Sequence, residues 1–346
     1  MAKLSATAAV VTTALVIAAC GGDGESGSTT KVSYSNPVGA QPGQQDIVFG
    51  FEGGAEELGW SAESIDANLS PDRQVADIAT MVAGGVDGIA SWTLDPGAAA
   101  GAYSQADAAQ IPVVGVNSEG TGIDATVWWE INLCGAGSPI AELTRYIAEA
   151  KPGGNVLEIG GPPVPSIQAY ERCFAENAKR NGLTIVGSAH NTKDTAATAQ
   201  PIVADLLTKN RDVDAIWAYN DASALGASAA LISHGGTVYD GSGDGVIVFG
   251  QNGDVDAITA IRERRLTGTL DPDPVATGWA LIKALAAFIA QDEGENPPKR
   301  LVVKSERWTL DNIDDYKPPR ERHYTLDTVP LVAAPSDRAG GIDSDE

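Results

Sequence analysis

The sequence predicts an α/β protein built from two doubly wound, parallel-sheet lobes. Three observations predict it. Strand and helix signals alternate from Lys31 onward. Helical stretches of about 10–16 residues separate short apolar runs, the pattern that βαβ units and parallel sheets require. About ten strands fall in two runs, more than one sheet holds comfortably.

The first run opens with a strand at Val32–Ser35. Gln44–Leu58 carries Ile47, Phe51, Ala55 and Leu58 at helical spacing, and Gly59 stops it. A strand over Ser64–Leu69 follows. Asp72–Val82 is a helix with Ser70 as N-cap and Pro71 at its first position. Val86–Trp92 is a strand and Gly97–Ala109 an Ala-rich helix. Pro112–Val116 is a continuously apolar strand of the buried, parallel kind. The pattern then restarts. Helices are expected at 138–150, 166–181, 196–209, 223–234, 255–264 and 277–291. Strands are expected at 155–159, 183–188, 215–219, 245–250, 266–270 and 301–304. Beyond Tyr316 the tail has no period and is rich in Pro, Asp and Arg, so 317–346 is expected to be extended or disordered, an extended wrap first and then disorder.

The N-terminus is read separately. Lys3 precedes a short Ala/Val-rich stretch, residues 6–19, that suits a secretory leader better than a membrane span. It ends Ile17-Ala18-Ala19-Cys20, which resembles a bacterial lipobox and implies cleavage before Cys20 and acylation of its thiol. The Gly/Ser/Thr-rich stretch to Lys31 reads as a tether. Residues 1–19 are thus expected to be a signal peptide and 20–31 an anchor with its tether; the alternative is an ordinary secretory signal with an incidental Cys. The chain is expected outside the cytoplasm, held at the cell membrane by lipid.

The net charge is -23, from 23 basic and 46 acidic residues in 346. Such an acidic chain repels nucleic acid and disfavours anionic ligands. Of the three cysteines, Cys134 and Cys173 remain after Cys20 is assigned to lipid. In an oxidising compartment they are a candidate disulfide; the alternative is two buried thiols. No CxxC or other metal-ligand spacing is present, and neither metal nor cofactor is expected.

Ligands of open parallel sheets sit beyond the carboxyl ends of the strands. The residues there are Asn36-Pro37, Trp92-Thr93, Asn117-Ser118-Glu119, Asn220-Asp221, Gln251-Asn252 and Asp271-Pro272-Asp273-Pro274. Amides and carboxylates around a face-stacking Trp suit hydroxyls, which both donate and accept. Asp221 is also a candidate cap for the helix at Ser223, and the two prolines beside Asp271 and Asp273 suit a rigid hinge.

Several stretches carry a resemblance. They are Gln74–Asp87, Ile111-Pro112-Val113-Val114, the run Asp214–Asp221 with Ala224-Leu225-Gly226, and Val248–Gly253. On these the chain resembles the type I periplasmic sugar-binding family typified by ribose-binding proteins, over about Val32 to Tyr316. The resemblance implies a monomeric solute-binding protein that closes around a small uncharged sugar or polyol and delivers it to an ABC transporter permease. It implies a three-segment hinge, with crossings near Ile131-Asn132, Pro272 and Leu301. Residues 32–131 with 273–301 then form one lobe, and 132–272 with 302–316 the other. It also implies ligand contact by Asn220 and by a residue at Tyr170, or Arg172 with a small shift. The departures are specific. Asn117-Ser118 replaces the family's Asp-Arg, Asn252 stands where G-F-D-G has Asp, and the family's Gln after the penultimate strand falls near Pro272. Trp92 replaces a polar residue. Ribose itself is therefore not implied.

Other classes fit less well. The three histidines, His190, His234 and His323, do not gather at strand ends, and no nucleophile elbow, HExxH or phosphate loop is present. Gly241–Gly245 precedes a strand, so it is a turn. A LacI-type regulator conflicts with the lipobox, the acidity and the missing N-terminal helix-turn-helix. A receptor that presents a sugar-like signal, such as autoinducer-2, to a membrane sensor remains the alternative.

Overall fold

The computed structural model describes residues 29–290 and 297–333. The leader, Cys20 and the first part of the tether lie outside the described residues. The first run comprises β1 (Lys31–Asn36), α1 (Pro42–Glu57), β2 (Ser61–Asp66), α2 (Pro71–Ala83), β3 (Gly88–Ser91), α3 (Pro96–Ala108), β4 (Val113–Val116) and β5 (Ala125–Trp129). The second comprises α4 (Pro139–Ala150), β6 (Asn155–Gly160), α5 (Pro165–Arg180), β7 (Thr184–His190), α6 (Ala196–Lys209), β8 (Ala215–Ala218), α7 (Asp221–Ser233), β9 (Ile247–Gln251), α8 (Val255–Arg262) and β10 (Gly268–Asp271). Then come α9 (Pro274–Ile289), β11 (Arg300–Val303), β12 (Glu306–Thr309) and β13 (Leu331–Val332).

Two sheets result. One has the order β13-β11-β5-β4-β3-β1-β2, the other β12-β10-β9-β8-β6-β7. Every pairing is parallel except those of the edge strands β13 and β12. Helix starts follow local chemistry. Proline opens α1, α2, α3, α4, α5 and α9, where a missing N–H costs nothing. Ser70, Asp95, Ser138, Thr195, Asn220 and Asp273 each accept from a backbone N–H of the first turn. Asn220, not Asp221, therefore caps α7. The fully buried Asp221 instead accepts from Thr269 Oγ1 at 2.7 Å and from the Asp254 N–H at 2.9 Å.

Helix α9 returns to the first lobe and packs on α1. A Cβ at Gly50 would overlap the Val275 carbonyl, and one at Gly278 the Ile47 carbonyl. This close approach requires glycine at both positions.

The structure differs from the sequence expectations at several places. β2 begins at Ser61, three residues early, because Lys31 pairs with Ser61. β5 was not expected; it lies fully buried between β4 and β11. The first sheet holds β11 through Val303, past the expected boundary at 301. A fourth crossing joins the three expected ones: residues 310–330 leave β12 in the second sheet and reach β13 in the first. The segment is tied at the hinge. Arg322, with its side chain 8% exposed, sits 2.6 Å from Asp271, which is 2% exposed. Trp308 Nε1 donates to Asp271 at 3.0 Å, and the Tyr324 hydroxyl donates to Asp273.

Cys134, just after β5, and Cys173 of α5 have Cα atoms 5.4 Å apart and are joined as a disulfide across 39 residues. A loop of that length gives about 4 kcal/mol in the chain-entropy description. Reduction is expected to lower the urea midpoint accordingly, read with and without a strong thiol reductant.

Candidate functional site

A cavity of about 590 Å³, including its open mouth, lies between the two lobes. The volume suits a small ligand. Its walls come from the carboxyl ends of both sheets. Pro37 and Val38 follow β1, Trp92 and Leu94 follow β3, and Trp129 ends β5. From the other lobe, Pro162 and Val164 follow β6, Asp194 follows β7, Tyr219 and Asn220 follow β8, and Gln251 ends β9 with Asn252 next. Gln41 and Gln44 add the start of α1, and Ile167 the start of α5.

Two indoles dominate the first-lobe wall. Trp92 and Trp129 meet edge to face, with ring centroids 4.9 Å apart at 86°. Both N–H groups are engaged by the protein: Trp92 Nε1 donates to Ser166 Oγ at 3.1 Å, and Trp129 Nε1 to Thr277 Oγ1 at 2.9 Å. The rings therefore offer a ligand apolar surface rather than hydrogen bonds. Ser166 stands on α5, so the Trp92 bond also spans the two lobes.

The second-lobe wall adds polar groups beside the apolar Pro162, Val164 and Ile167. Asn220 Oδ1 accepts from the Ser223 N–H at 2.9 Å, and its Nδ2 donates to Asp194 Oδ1. The cap thus locks the amide, leaving one N–H and one lone pair for a ligand. Gln251 Oε1 and the Tyr219 hydroxyl are buried without a partner among the described residues. Buried polar atoms are normally satisfied, so orphans lining a cleft are atoms a ligand would serve. Asp194 and Asn252 have φ of 63° and 126°, in the left-handed half of the map that Asn and Asp tolerate best.

Burial pushes the Asp194 carboxyl up to about 7, against the opposing bond from Asn220. The unfolded carboxyl ionises near 4, so between about 4 and 7 the folded chain binds this proton more tightly. The contribution of Asp194 to stability is full below that window and falls as pH rises through it. Asp194→Asn should flatten this component, measured as urea midpoints of both chains at several pH values from about 4.5 to 7.5.

Of the residues singled out in the sequence, Trp92, Asn220, Gln251 and Asn252 line the cleft. Six do not. Asn36 accepts from the Val38 N–H at 3.0 Å, a local turn. Asn117, at φ 47°, accepts from the Trp129 N–H at 2.8 Å and so positions that Trp. Ser118 Oγ accepts from the Thr93 N–H and donates to the Val116 carbonyl. Tyr170 is buried against Trp217, centroids 5.2 Å apart, because α5 turns its Ala169, Tyr170, Cys173 and Phe174 face to the core. Arg172, two residues on, is exposed. Asp271 belongs to the hinge ion pair with Arg322. Trp129, Tyr219, Asp194 and Gln44 were missed. Val-Trp-Trp after the Gly120–Gly122 turn is the strand signal that would have found Trp129.

Comparison with known proteins agrees with this architecture. The sequence profile of the periplasmic binding protein domain matches residues 32–294. The ribose import binding protein RbsB of Bacillus subtilis is 27% identical over 248 residues, 70% of this chain and 74% of that protein. Among solved structures, the binding protein of the arabinose ABC transporter from Shewanella sp. ANA-3, bound to L-arabinofuranose, superposes with a TM-score of 0.73 at 17% identity. It covers 83% of this chain and 94% of its own. The Caulobacter myo-inositol binding protein, bound to myo-inositol, gives 0.73 at 21% identity over 86% of this chain and 98% of that one.

Proposed function

The chain belongs to the periplasmic binding protein family, and we propose that it captures a sugar or polyol between its lobes and hands it to an ABC importer. The observation that carries the proposal is the cleft itself. Two indoles with engaged N–H groups present apolar faces opposite the partly or wholly unpartnered polar atoms of Asn220, Gln251 and Tyr219. A sugar ring has the matching halves, C–H faces for stacking and hydroxyls that donate and accept. The chain acts as a binding protein, not an enzyme. The lobes close on ligand, and the closed shape is what the permease reads. Lipid on Cys20 holds the receptor outside the cytoplasm beside that permease, and the receptor works as a monomer.

A melting screen of the mature chain against pentoses, hexoses and inositols tests the proposal. A ligand at about 100 times its Kd adds about 2.7 kcal/mol of stability and raises Tm. Silence across all carbohydrates and polyols would remove the proposal.

A further inference from the structure

We infer that the ligand carries a protonated primary amine, an amino-substituted sugar or cyclitol, with Asp194 of the cleft as its counter-ion. The inference rests on the reading of this cleft as a sugar or polyol site.

Charge and hydrogen-bond supply point to it. Among the described residues, Asp194 is the one charged side chain that lines the cleft, and no Lys, Arg or His lines it. The carboxylate is held in place from both sides. Its own N–H donates to the Asn191 carbonyl at 3.2 Å, and Asn191 is in turn bonded to Thr195, Thr198 and Ser223. One oxygen accepts from Asn220, and no side chain or backbone group among the described residues donates to the other. Gln251 Oε1 is a second free acceptor. That Asp194 oxygen and Gln251 Oε1 are thus two acceptors of the wall open to a donor from the ligand. A hydroxyl brings one donor and two lone pairs, whereas an ammonium brings three donors and no lone pair.

Closure sharpens the preference. The carboxylate faces a cavity also walled by Leu69, Leu94, Val164 and Ile167. When the lobes shut, water leaves, and a carboxylate without a counter-charge is costly in such surroundings. Two ligand hydroxyls could satisfy its lone pairs, but burial would then favour its neutral form. An ammonium supplies both hydrogen bonds and charge. The faces of Trp92 and Trp129 attract a cation as well. A net charge of -23 draws cations toward the protein and repels anions.

Matched pairs that differ only in NH3+ against OH decide the point. Wild-type protein is titrated calorimetrically with scyllo-inositol and its monoamino derivative, D-glucose and D-glucosamine, and D-galactose and D-galactosamine. In at least one pair the amine is expected to bind about tenfold or more tightly than its hydroxyl partner. This comparison needs no variant. Asp194→Asn should then erase that preference: the amine is expected to lose about tenfold more affinity than its hydroxyl partner, whatever the substitution does to the hydroxyl partner itself. The inference is overturned if hydroxyl ligands bind as well as their amines, or if Asp194→Asn weakens both alike. If no member of any pair binds, the sugar or polyol reading fails, and the inference with it.

Discussion

Asn220→Ala is expected to weaken sugar binding by about 30–100-fold, the loss of a buried hydrogen-bonding amide in a site that can offer no substitute. The same substitution also removes the α7 cap and should cost about 1 kcal/mol of stability. The two effects separate in Asn220→Ser. Serine retains an N-cap oxygen, so stability should stay near that of the wild type, but its side chain is too short to replace the amide's reach toward Asp194 and the cleft. Affinity should therefore remain low. Calorimetry and urea unfolding on the three chains read the two quantities independently. Affinity that recovers with stability would make Asn220 a structural cap alone.

The second large effect is expected at the hinge. Arg322→Met leaves the Asp271 carboxylate buried without its cation, a change that costs about 3–5 kcal/mol when one member of a buried pair is removed. Trp308 continues to donate to Asp271, which limits the loss but does not neutralise the charge. Pairing Arg322→Met with Asp271→Asn should recover part of that stability, since only Asp273, 3.4 Å from the guanidinium in the wild type and bonded to the Tyr324 hydroxyl, then loses its cation. Urea midpoints of the two single variants and the double variant measure the coupling. Because residues 310–330 span the two sheets, the same variants are expected to shift the balance between open and closed lobes. Additive destabilisation, with no recovery in the double variant, would show that the ion pair does not tie the tail to the hinge.

The βα alternation was legible because buried parallel strands appear as short apolar runs and helices announce their starts with Pro71, Pro139 and similar signals. β5 was not legible by that rule. It follows β4 through a Gly-rich turn with no helix between, so it breaks the alternation and took Trp129 with it. The edge strands β12 and β13 are short, and β12 is mostly polar. The extended course of the tail was expected beyond Tyr316, but its attachment was not legible: it is held by Arg322 reaching Asp271 and Asp273 and by Tyr324 reaching Asp273, and such contacts leave no period in the sequence.

The site was half legible. Looking just past each strand found Trp92, Asn220, Gln251 and Asn252. It missed Asp194, which lies four residues beyond the end of β7, and Gln44, which comes from a helix. It also took Asn117 and Ser118 for ligand contacts. Both amide and hydroxyl turn inward to backbone groups, an outcome that depends on φ and neighbouring strands rather than on residue type. The resemblance placed Tyr170 in the pocket, but the apolar spacing of Ala169, Tyr170, Cys173 and Phe174 already marks a core face.

Calorimetric titration of the mature chain with pentoses, hexoses, inositols and their amino derivatives tests the central claim most directly, carried out beside a variant with both Asn220→Ala and Trp129→Ala. The account predicts a one-to-one isotherm for at least one of these ligands, lost in the double variant. No heat from any of them, or an isotherm that the double variant leaves unchanged, would contradict it.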